Sequence, residues 1–157
     1  MGKAILFDLD GTLLPVDTDR FVEQYMRAIA PQVQNFFEHP GEFTKILWES
    51  THEMIRNDDP NLTNQDVFTK SFLEKTGIQK SDIWPIFDRF YEDHFPKLKE
   101  YTEPTGISRE IVQIAKEQGR KVLIATNPVF PRAAIYERLK WLELEDFPFD
   151  LVTVYEE

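Results

Sequence analysis

The sequence predicts an α/β fold in which a parallel sheet of about three strands carries an all-helical insertion after its first strand. A short, wholly apolar run at residues 4–7 comes first, and residues 15–104 then show helical periodicity almost throughout. Helix, strand, helix and strand alternate over residues 105–157, an order typical of parallel sheets. We therefore expect a partial α/β core of residues 1–14 and 105–157 and a helical unit of residues 15–104.

The first strand is predicted over residues 4–7, AILF. Its apolar residues show no alternation with polar ones, which is typical of a strand buried on both faces. Asp-Leu-Asp-Gly follows at residues 8–11, and an Asp-Gly pair favours a turn. The strand is therefore expected to end at Asp8.

Four amphipathic helices are predicted in the insertion, because apolar residues recur there at helical spacing. The first two stripes are Phe21, Tyr25 and Ile29, then Phe43, Ile46, Leu47, Met54 and Ile55. A third helix starts after Thr63, which has capping-box spacing to Asp66, and stops at Gly77. A fourth starts near Ser81, with Pro85 in its first turn, and ends before Pro96. The four helices predict a small bundle whose aromatic stripes form its core.

The rest of the chain alternates between helix and strand. The predicted elements are a linker at residues 100–106, a helix at 108–118, a strand at 121–127, a helix at 131–142 and a strand at 149–155. Pro131 suits the first position of its helix, because proline lacks the N–H that would be unsatisfied there.

The composition excludes several classes of function. A net charge of −10, without any Lys/Arg-rich run, argues against a nucleic-acid partner. The absence of Cys removes disulfides and thiol nucleophiles, which suits a reducing compartment. The N-terminus MGKAILFDLD turns acidic where a signal peptide would stay apolar, and no apolar run approaches the ~18 residues of a membrane span. We expect a soluble, cytoplasmic protein without a membrane partner.

Polar residues follow two of the predicted strands. Asp8 and Asp10 come after the first, and Thr126 and Asn127 end the second. The carboxyl ends of parallel strands meet at one edge of a sheet, where ligands of such folds bind. We therefore expect these four side chains to form one site.

Three interpretations of Asp8-Leu9-Asp10-Gly11 compete. It can be a plain turn after a strand. It can be a calcium loop, but Leu13 and Asp19 stand where that loop needs Gly and Glu, and a strand precedes it instead of a helix. It can also serve phosphoryl transfer to a carboxylate, with a divalent cation relieving the repulsion between the two acids.

A family resemblance favours the third interpretation. FDLDGTLL at residues 7–14, followed by a helical insertion and by VLIATN at residues 122–127, resembles the haloacid dehalogenase superfamily of hydrolases. Residues 8–12 match that family's first motif, Asp-x-Asp-Gly-Thr, in full, and Thr126 matches the Ser or Thr of its second motif. The resemblance implies a Rossmann-like core and a helical cap of the family's first type.

The resemblance also implies roles for these residues. Asp8 is expected to attack phosphorus and form an aspartyl-phosphate, and Asp10 to protonate the leaving oxygen and later activate water. Mg²⁺ is expected on the Asp8 carboxylate and the main-chain carbonyl of Asp10. An acid at position 10 favours a phosphatase or a phosphomutase over the dehalogenases and transport ATPases that the pattern also resembles, and a phosphatase is preferred because mutases are the minority in the family. The expected phosphate-binding residues are Gly11, Thr12, Thr126 and Asn127.

The sequence departs from the family after the third strand. There the family places a Lys and then an acidic motif that completes its metal site, and residues 1–157 match neither. We expect the N-terminal part of a longer enzyme, with one edge of the first strand open to a C-terminal half or to a second copy. Two functions stay open: a Mg²⁺-dependent phosphatase acting on a small phosphorylated metabolite, and a non-catalytic phosphate-binding or regulatory module.

Basic residues of the insertion are candidates for substrate selection, although a solvated helix face is the simpler expectation for each of them. They are Arg20, Arg27, Lys45 and Arg56.

Overall fold

The computed structural model describes residues 3–39 and 41–157. Strands β1 (Ala4–Phe7), β2 (Lys121–Ile124) and β3 (Leu151–Val152) form one parallel sheet. The α-helices of the described ranges are α1 (Thr18–Val33), α2 (Glu42–Arg56), α3 (Asn64–Thr76), α4 (Lys80–Asp93), α5 (Gly106–Glu117) and α6 (Arg132–Trp141), and short 3-10 segments cover Gln34–Phe36 and Phe95–Tyr101. This confirms a parallel α/β sheet with a helical block after its first strand.

The strands lie in the order β1-β2-β3. Ala4 pairs with Lys121 at one end of the first ladder, and Phe7 pairs with Ile124 at the other. The expectation that β1 is buried on both faces is wrong: Leu6 is 61% exposed, because the described residues leave its face of the sheet uncovered. Among the described strands β1 has a neighbour only on its β2 side. That another strand pairs with its free edge stays a prediction.

The second and third strands are shorter than predicted. β2 ends at Ile124, and the ladder between β2 and β3 holds only the pairs of Leu123 with Leu151 and Ile124 with Val152. The polar residues after Ile124 therefore lie in the loop beyond the strand, where their side chains can face a ligand.

Capping interactions explain the helix boundaries. Thr63 and Asp66 form a capping box at the start of α3, and Gly77 ends that helix with φ +67°, as predicted. By contrast, α5 starts at Gly106, two residues earlier than expected. Ser108 therefore lies inside the helix, and its hydroxyl donates to the carbonyl of Leu13 instead of capping the helix.

The start of α6 also differs from the prediction. Pro131 is the N-cap of α6 and lies just outside the first helical position. The next backbone N–H, that of Arg132, donates to both carboxylate oxygens of Glu156, at 2.9 and 3.0 Å. A carboxylate is stabilised at a helix N-terminus by the exposed N–H groups and the helix dipole, so Glu156 ties the segment after β3 to α6.

One hydrophobic core runs through the helical block and the sheet. Phe95 packs against Phe21 of α1 and stacks on Trp141 of α6, with ring centroids 6.2 and 5.6 Å apart. The division into residues 1–14 with 105–157 and residues 15–104 stays a prediction, because buried side chains of both units belong to the same hydrophobic core. None of the helices formed by residues 3–39 and 41–157 is both long and apolar enough to cross a membrane.

The helical block joins the sheet through two adjacent chain segments. Val16 and Thr102 form an antiparallel bridge, and the backbone N–H of Glu103 donates to the carbonyl of Pro15 at 2.9 Å. Both connections therefore leave the sheet side by side, close to the end of β1.

Candidate active site

A tight turn after β1 positions the two acidic residues. The carbonyl of Leu9 accepts hydrogen bonds from the N–H groups of Thr12 and Leu14, at 3.2 and 2.8 Å. Gly11 has φ +76°, a conformation that costs glycine little, and its N–H donates to the carbonyl of Leu14. Leu9 and Leu14 are fully buried, so the turn is anchored by its apolar residues. The acids on either side of Leu9 are thereby held at the end of the strand.

Asp8 is exposed at the carboxyl end of β1. The Thr12 hydroxyl donates to its Oδ2 over a long distance of 3.4 Å. Asp8 lines a cavity between the sheet and the helical block, whereas Gly11 and Thr12 do not. The carboxylate is therefore free to contact a ligand.

Asp10 is held by a buried arginine. The guanidinium of Arg138, on α6, donates from Nη1 to Oδ2 of Asp10. The Arg138 side chain is 1% exposed and that of Asp10 23% exposed. The other oxygen of Asp10 and Nη2 of Arg138 are buried without a hydrogen-bond partner among the described residues. Asp10 thus has one fixed oxygen and one whose hydrogen-bonding capacity is unused.

Aromatic rings surround the guanidinium. The Arg138 Cζ lies 4.4 Å from the ring centroid of Phe130 and 5.7 Å from that of Phe95. Its Nε donates to the carbonyl of Ala134, one turn earlier on α6. Cation–π contacts of this kind are strongest where water is excluded. The arginine is therefore fixed on three sides and presents one nitrogen to Asp10.

The residues after β2 complete the floor of the site. The N–H of Ala125 donates to the carbonyl of Phe7 at 2.8 Å, which holds the two strand ends together. The buried Thr126 accepts from the Thr153 hydroxyl through its carbonyl at 2.7 Å, and Asn127 is exposed. Thr126 and Asn127 line the same cavity as the two acids.

The cavity has a volume of about 820 Å³. Its helical walls include Trp48, Phe68, Trp84 and Phe87. Phe87 belongs to the buried core, and Phe68 and Trp84 pack against it, as expected of aromatic stripes, whereas Trp48 is 40% exposed and is not part of that core. The four basic residues considered as substrate contacts are not among those that line the cavity.

Helix α3 closes one side of the cavity. Asn64 donates from its side-chain amide to the carbonyl of Pro128 at 3.0 Å, in the loop after β2. The next residue, Gln65, donates its backbone N–H to the carbonyl of Tyr155 at 2.8 Å, in the segment after β3. These hydrogen bonds fix the start of α3 on the loops that carry the site.

Two tyrosine hydroxyls meet at the cavity wall. The Tyr25 and Tyr91 oxygens are 3.0 Å apart, and both residues line the cavity. Burial raises the pKa of Tyr25 to about 12 and that of Tyr91 well above its ordinary value. The pair therefore stays protonated and uncharged at neutral pH.

The acidic pair offers donors that suit magnesium. Mg²⁺ prefers oxygen ligands and commonly takes one or two carboxylates, with water and substrate phosphate in its other positions. The exposed Asp8 carboxylate is a donor of this kind, and the main-chain carbonyl of Asp10 can supply a second oxygen. The described residues do not form a group of three or more His, Cys, Asp or Glu side chains that could hold a metal ion. The available donors therefore fit a magnesium ion that is bound by few protein groups, and they do not fit an ion enclosed by side chains of the described residues alone.

Sequence reasoning missed Arg138. A signal for it exists, because Ala134, Ile135 and Leu139 form an apolar stripe on α6 and position 138 lies within that stripe at helical spacing. A charged residue on a buried helix face needs a partner of opposite charge. The sequence does not say which acid that partner is.

Comparisons with known proteins identify relatives of the chain. A family model described as a haloacid dehalogenase-like hydrolase matches residues 3–156. No curated protein matches the chain. The chain is similar to a solved structure described as a "putative beta-phosphoglucomutase from Thermotoga maritima", with 21% identity and a TM-score of 0.43, over 98% of this chain and 62% of that one. The chain thus spans less than two thirds of that structure's length.

Proposed function

Because the chain belongs to the haloacid dehalogenase-like hydrolases, we propose that it carries the nucleophile and the acid–base group of a magnesium-dependent phosphatase. The proposed substrate is a small phosphorylated metabolite, and the proposed phosphate-binding groups are Thr126, Asn127 and the backbone around Gly11 and Thr12. The observation that carries the proposal is the convergence of two acids after β1 and two polar residues after β2 at the floor of one cavity.

The first step is a displacement at phosphorus. An oxygen of Asp8 forms a bond to phosphorus while the bond to the ester oxygen breaks, and Asp10 delivers a proton to the departing alcohol. Asp8 suits this role because its carboxylate is exposed and its one side-chain contact, to Thr12, is long. A covalent intermediate divides one difficult hydrolysis into two easier displacements.

The second step restores the enzyme. Asp10 takes a proton from water as the water oxygen attacks phosphorus, and the bond between phosphorus and Asp8 breaks to release inorganic phosphate. The guanidinium of Arg138 fixes the orientation of Asp10 in both steps by its contact with one carboxylate oxygen. Orienting a proton-transfer group lowers the entropic part of the barrier.

Asp8 and the main-chain carbonyl of Asp10 are the groups that would hold Mg²⁺. When bound, the ion supplies positive charge for the phosphoryl oxygens and lowers the repulsion between phosphate and the two acids.

Hydrolysis of 4-nitrophenyl phosphate tests the proposal, measured with Mg²⁺ and with a chelator. We expect turnover that requires Mg²⁺ and that falls by roughly 10³ or more in Asp8→Asn. The matched control is Asp58→Asn, an exposed acid in the loop between α2 and α3 that does not line the cavity. Turnover by the unmodified chain no higher than that of Asp8→Asn would contradict the proposal.

The alternative is a non-catalytic phosphate-binding module. It is favoured by one observation: the side chains that line the cavity in the described residues include no Lys or Arg to stabilise the charge that develops on a phosphoryl group during transfer. This alternative predicts that titration calorimetry detects inorganic phosphate binding, weakened in Thr126→Val, in a chain that hydrolyses no ester.

A further inference from the structure

The cavity is far larger than a phosphate group needs. Its volume of about 820 Å³ lies within the range of roughly 300–1,000 Å³ typical of sites for whole organic ligands. Asp8 and Thr126 line the cavity from the strand ends, and residues of α1, α2, α3 and α4 line it from the helical block. A phosphate held at the strand ends therefore leaves most of the cavity to the remainder of the ester.

Part of the cavity wall is apolar surface that the protein itself does not cover. Trp48 and Ile55 are seven residues apart on α2, two turns along one face of the helix. Trp48 is 40% exposed and Ile55 51% exposed, yet both line the cavity. Large apolar side chains left accessible in a concave site mark a surface that a ligand covers.

The rim of the cavity carries negative charge. Asp88 and Glu92 are exposed, one turn apart on α4, and both line the cavity. Two further lining acids already have partners: Glu137 accepts from the Trp141 indole at 3.0 Å, and Glu156 accepts from the Arg132 N–H. A second phosphate or a carboxylate on the ligand would be repelled by this charge.

The hydroxyl pair provides a neutral polar contact in an apolar wall. In the contact between Tyr25 and Tyr91 one hydroxyl donates to the other, so one O–H remains for a further acceptor. Because burial raises the pKa of both groups, this donor carries no charge at neutral pH. An uncharged oxygen of a ligand suits it.

From these observations we propose that the substrate is the monophosphate of an aromatic alcohol that carries no further negative charge, and whose ring system lies against Trp48 and Ile55. This inference rests on the proposed function for the phosphate end of the ligand. It goes beyond that function in assigning the chemistry of the organic part.

Two esters with the same kind of leaving group test the assignment: 2-(1-naphthyl)ethyl phosphate and ethyl phosphate, assayed by phosphate release with Mg²⁺. Burial of the naphthyl ring against the apolar wall is expected to lower KM by about tenfold or more. Binding of the product alcohol, 2-(1-naphthyl)ethanol, is measured in parallel by calorimetry and by tryptophan fluorescence. That measurement needs no turnover.

Charge selectivity gives a second comparison. We expect 2-phenylethyl phosphate to have a lower KM than its 4-carboxy derivative, because the rim acids repel the carboxylate. The same acids attract a cation, so the KM of the cationic 4-aminomethyl derivative is expected to be no higher than that of the parent ester. A preference for the 4-carboxy ester over the parent ester would overturn the proposal.

Variants locate the ring. Trp48→Ala is expected to weaken binding of the naphthyl alcohol by about tenfold. Ile55→Gln is expected to weaken binding of the same alcohol by a smaller factor. The matched control is Leu62→Ala, which removes an apolar side chain of similar exposure that does not line the cavity.

The outcomes separate this inference from the proposed function. If no ester is hydrolysed but the naphthyl alcohol binds in a manner that depends on Trp48, the proposed function fails and the assignment of the cavity stands. If both esters are hydrolysed with equal KM and the alcohol does not bind, the proposed function stands and the assignment is overturned.

Discussion

Arg138 donates a hydrogen bond from its guanidinium to the carboxylate of Asp10, although the two residues belong to opposite ends of the chain. Asp10 lies in the turn after β1, and Arg138 lies on α6 between β2 and β3. The contact therefore connects the turn after β1 directly to the helix that joins β2 to β3.

Removing the arginine should destabilise the fold. Arg138→Met leaves the carboxylate half-buried without its counter-charge, and loss of one partner of a buried pair costs about 3 kcal/mol. Urea unfolding measures the effect, and we expect Asp10→Asn combined with Arg138→Met to recover part of it. Lys140→Met is the matched control: the Lys140 side chain is 64% exposed and lies 3.7 Å from the Glu137 carboxylate, so this pair should be worth less than about 1 kcal/mol. A loss in Arg138→Met no larger than that of the control would contradict a structural role for the pair.

Thr126 should act through its hydroxyl. Thr126→Val keeps the shape of this buried side chain and removes its hydrogen-bond donor, so we expect kcat/KM for 4-nitrophenyl phosphate to fall by roughly 10². Thr126→Ser keeps the hydroxyl and should retain most of the activity. Equal rates in the serine and valine variants would show that the hydroxyl does not contact the phosphoryl group.

Asp150 should make stability depend on pH. Its carboxylate accepts from the Val122 N–H at 2.8 Å and from Lys116 Nζ at 2.9 Å, and these contacts, the backbone one first, hold the pKa of Asp150 below its ordinary value. A lowered folded-state pKa means that the carboxylate stabilises the fold above the unfolded pKa, about 3.9, and that this stabilisation is lost as pH falls through the folded-state pKa. Thermal unfolding should therefore show Asp150→Asn less stable than the parent chain at pH 7, with the gap closing in acid. A gap that is independent of pH would exclude this account.

The capping box of α3 should contribute to stability in a way that the N-cap threonine of α5 does not. Thr63 accepts from the Asp66 N–H at 3.1 Å, so Thr63→Ala should cost about 1 kcal/mol in urea unfolding. Thr105 is the N-cap of α5 but makes no side-chain capping hydrogen bond. Thr105→Ala should consequently change the free energy of unfolding by only a few tenths of a kcal/mol. Equal losses at the two positions would show that the box contributes nothing of its own.

The sequence predicted the features that a local pattern or a general rule of parallel sheets determines. The acids of residues 8–10 and the polar pair at 126–127 could be placed together because parallel strands end at one edge of a sheet. The capping box of α3 could be predicted because its partners are three residues apart. The capping partners are close in the chain, whereas the site residues are far apart in it and are brought together by the general rule that parallel strands end at one edge.

Features that depend on distant neighbours could not be predicted. The exposure of Leu6 follows from what packs against the sheet, and four apolar residues in a row do not reveal that. Trp48 of α2 and Phe72 of α3 are both aromatic residues of the helical block, yet Trp48 lines the cavity and Phe72 is fully buried. The difference arises from how α2, α3 and α4 pack on one another, which periodicity leaves open.

The bridge between Val16 and Thr102 bears on how the chain folds. Ala4 must find Lys121 as its partner, and the entropic cost of closing a chain loop grows with its length. Once the helical block has formed, its two ends lie next to each other, so the loop that separates β1 from β2 becomes effectively short. We therefore expect the helices to fold before the sheet, with the first strand the last element to gain protection against hydrogen exchange during refolding.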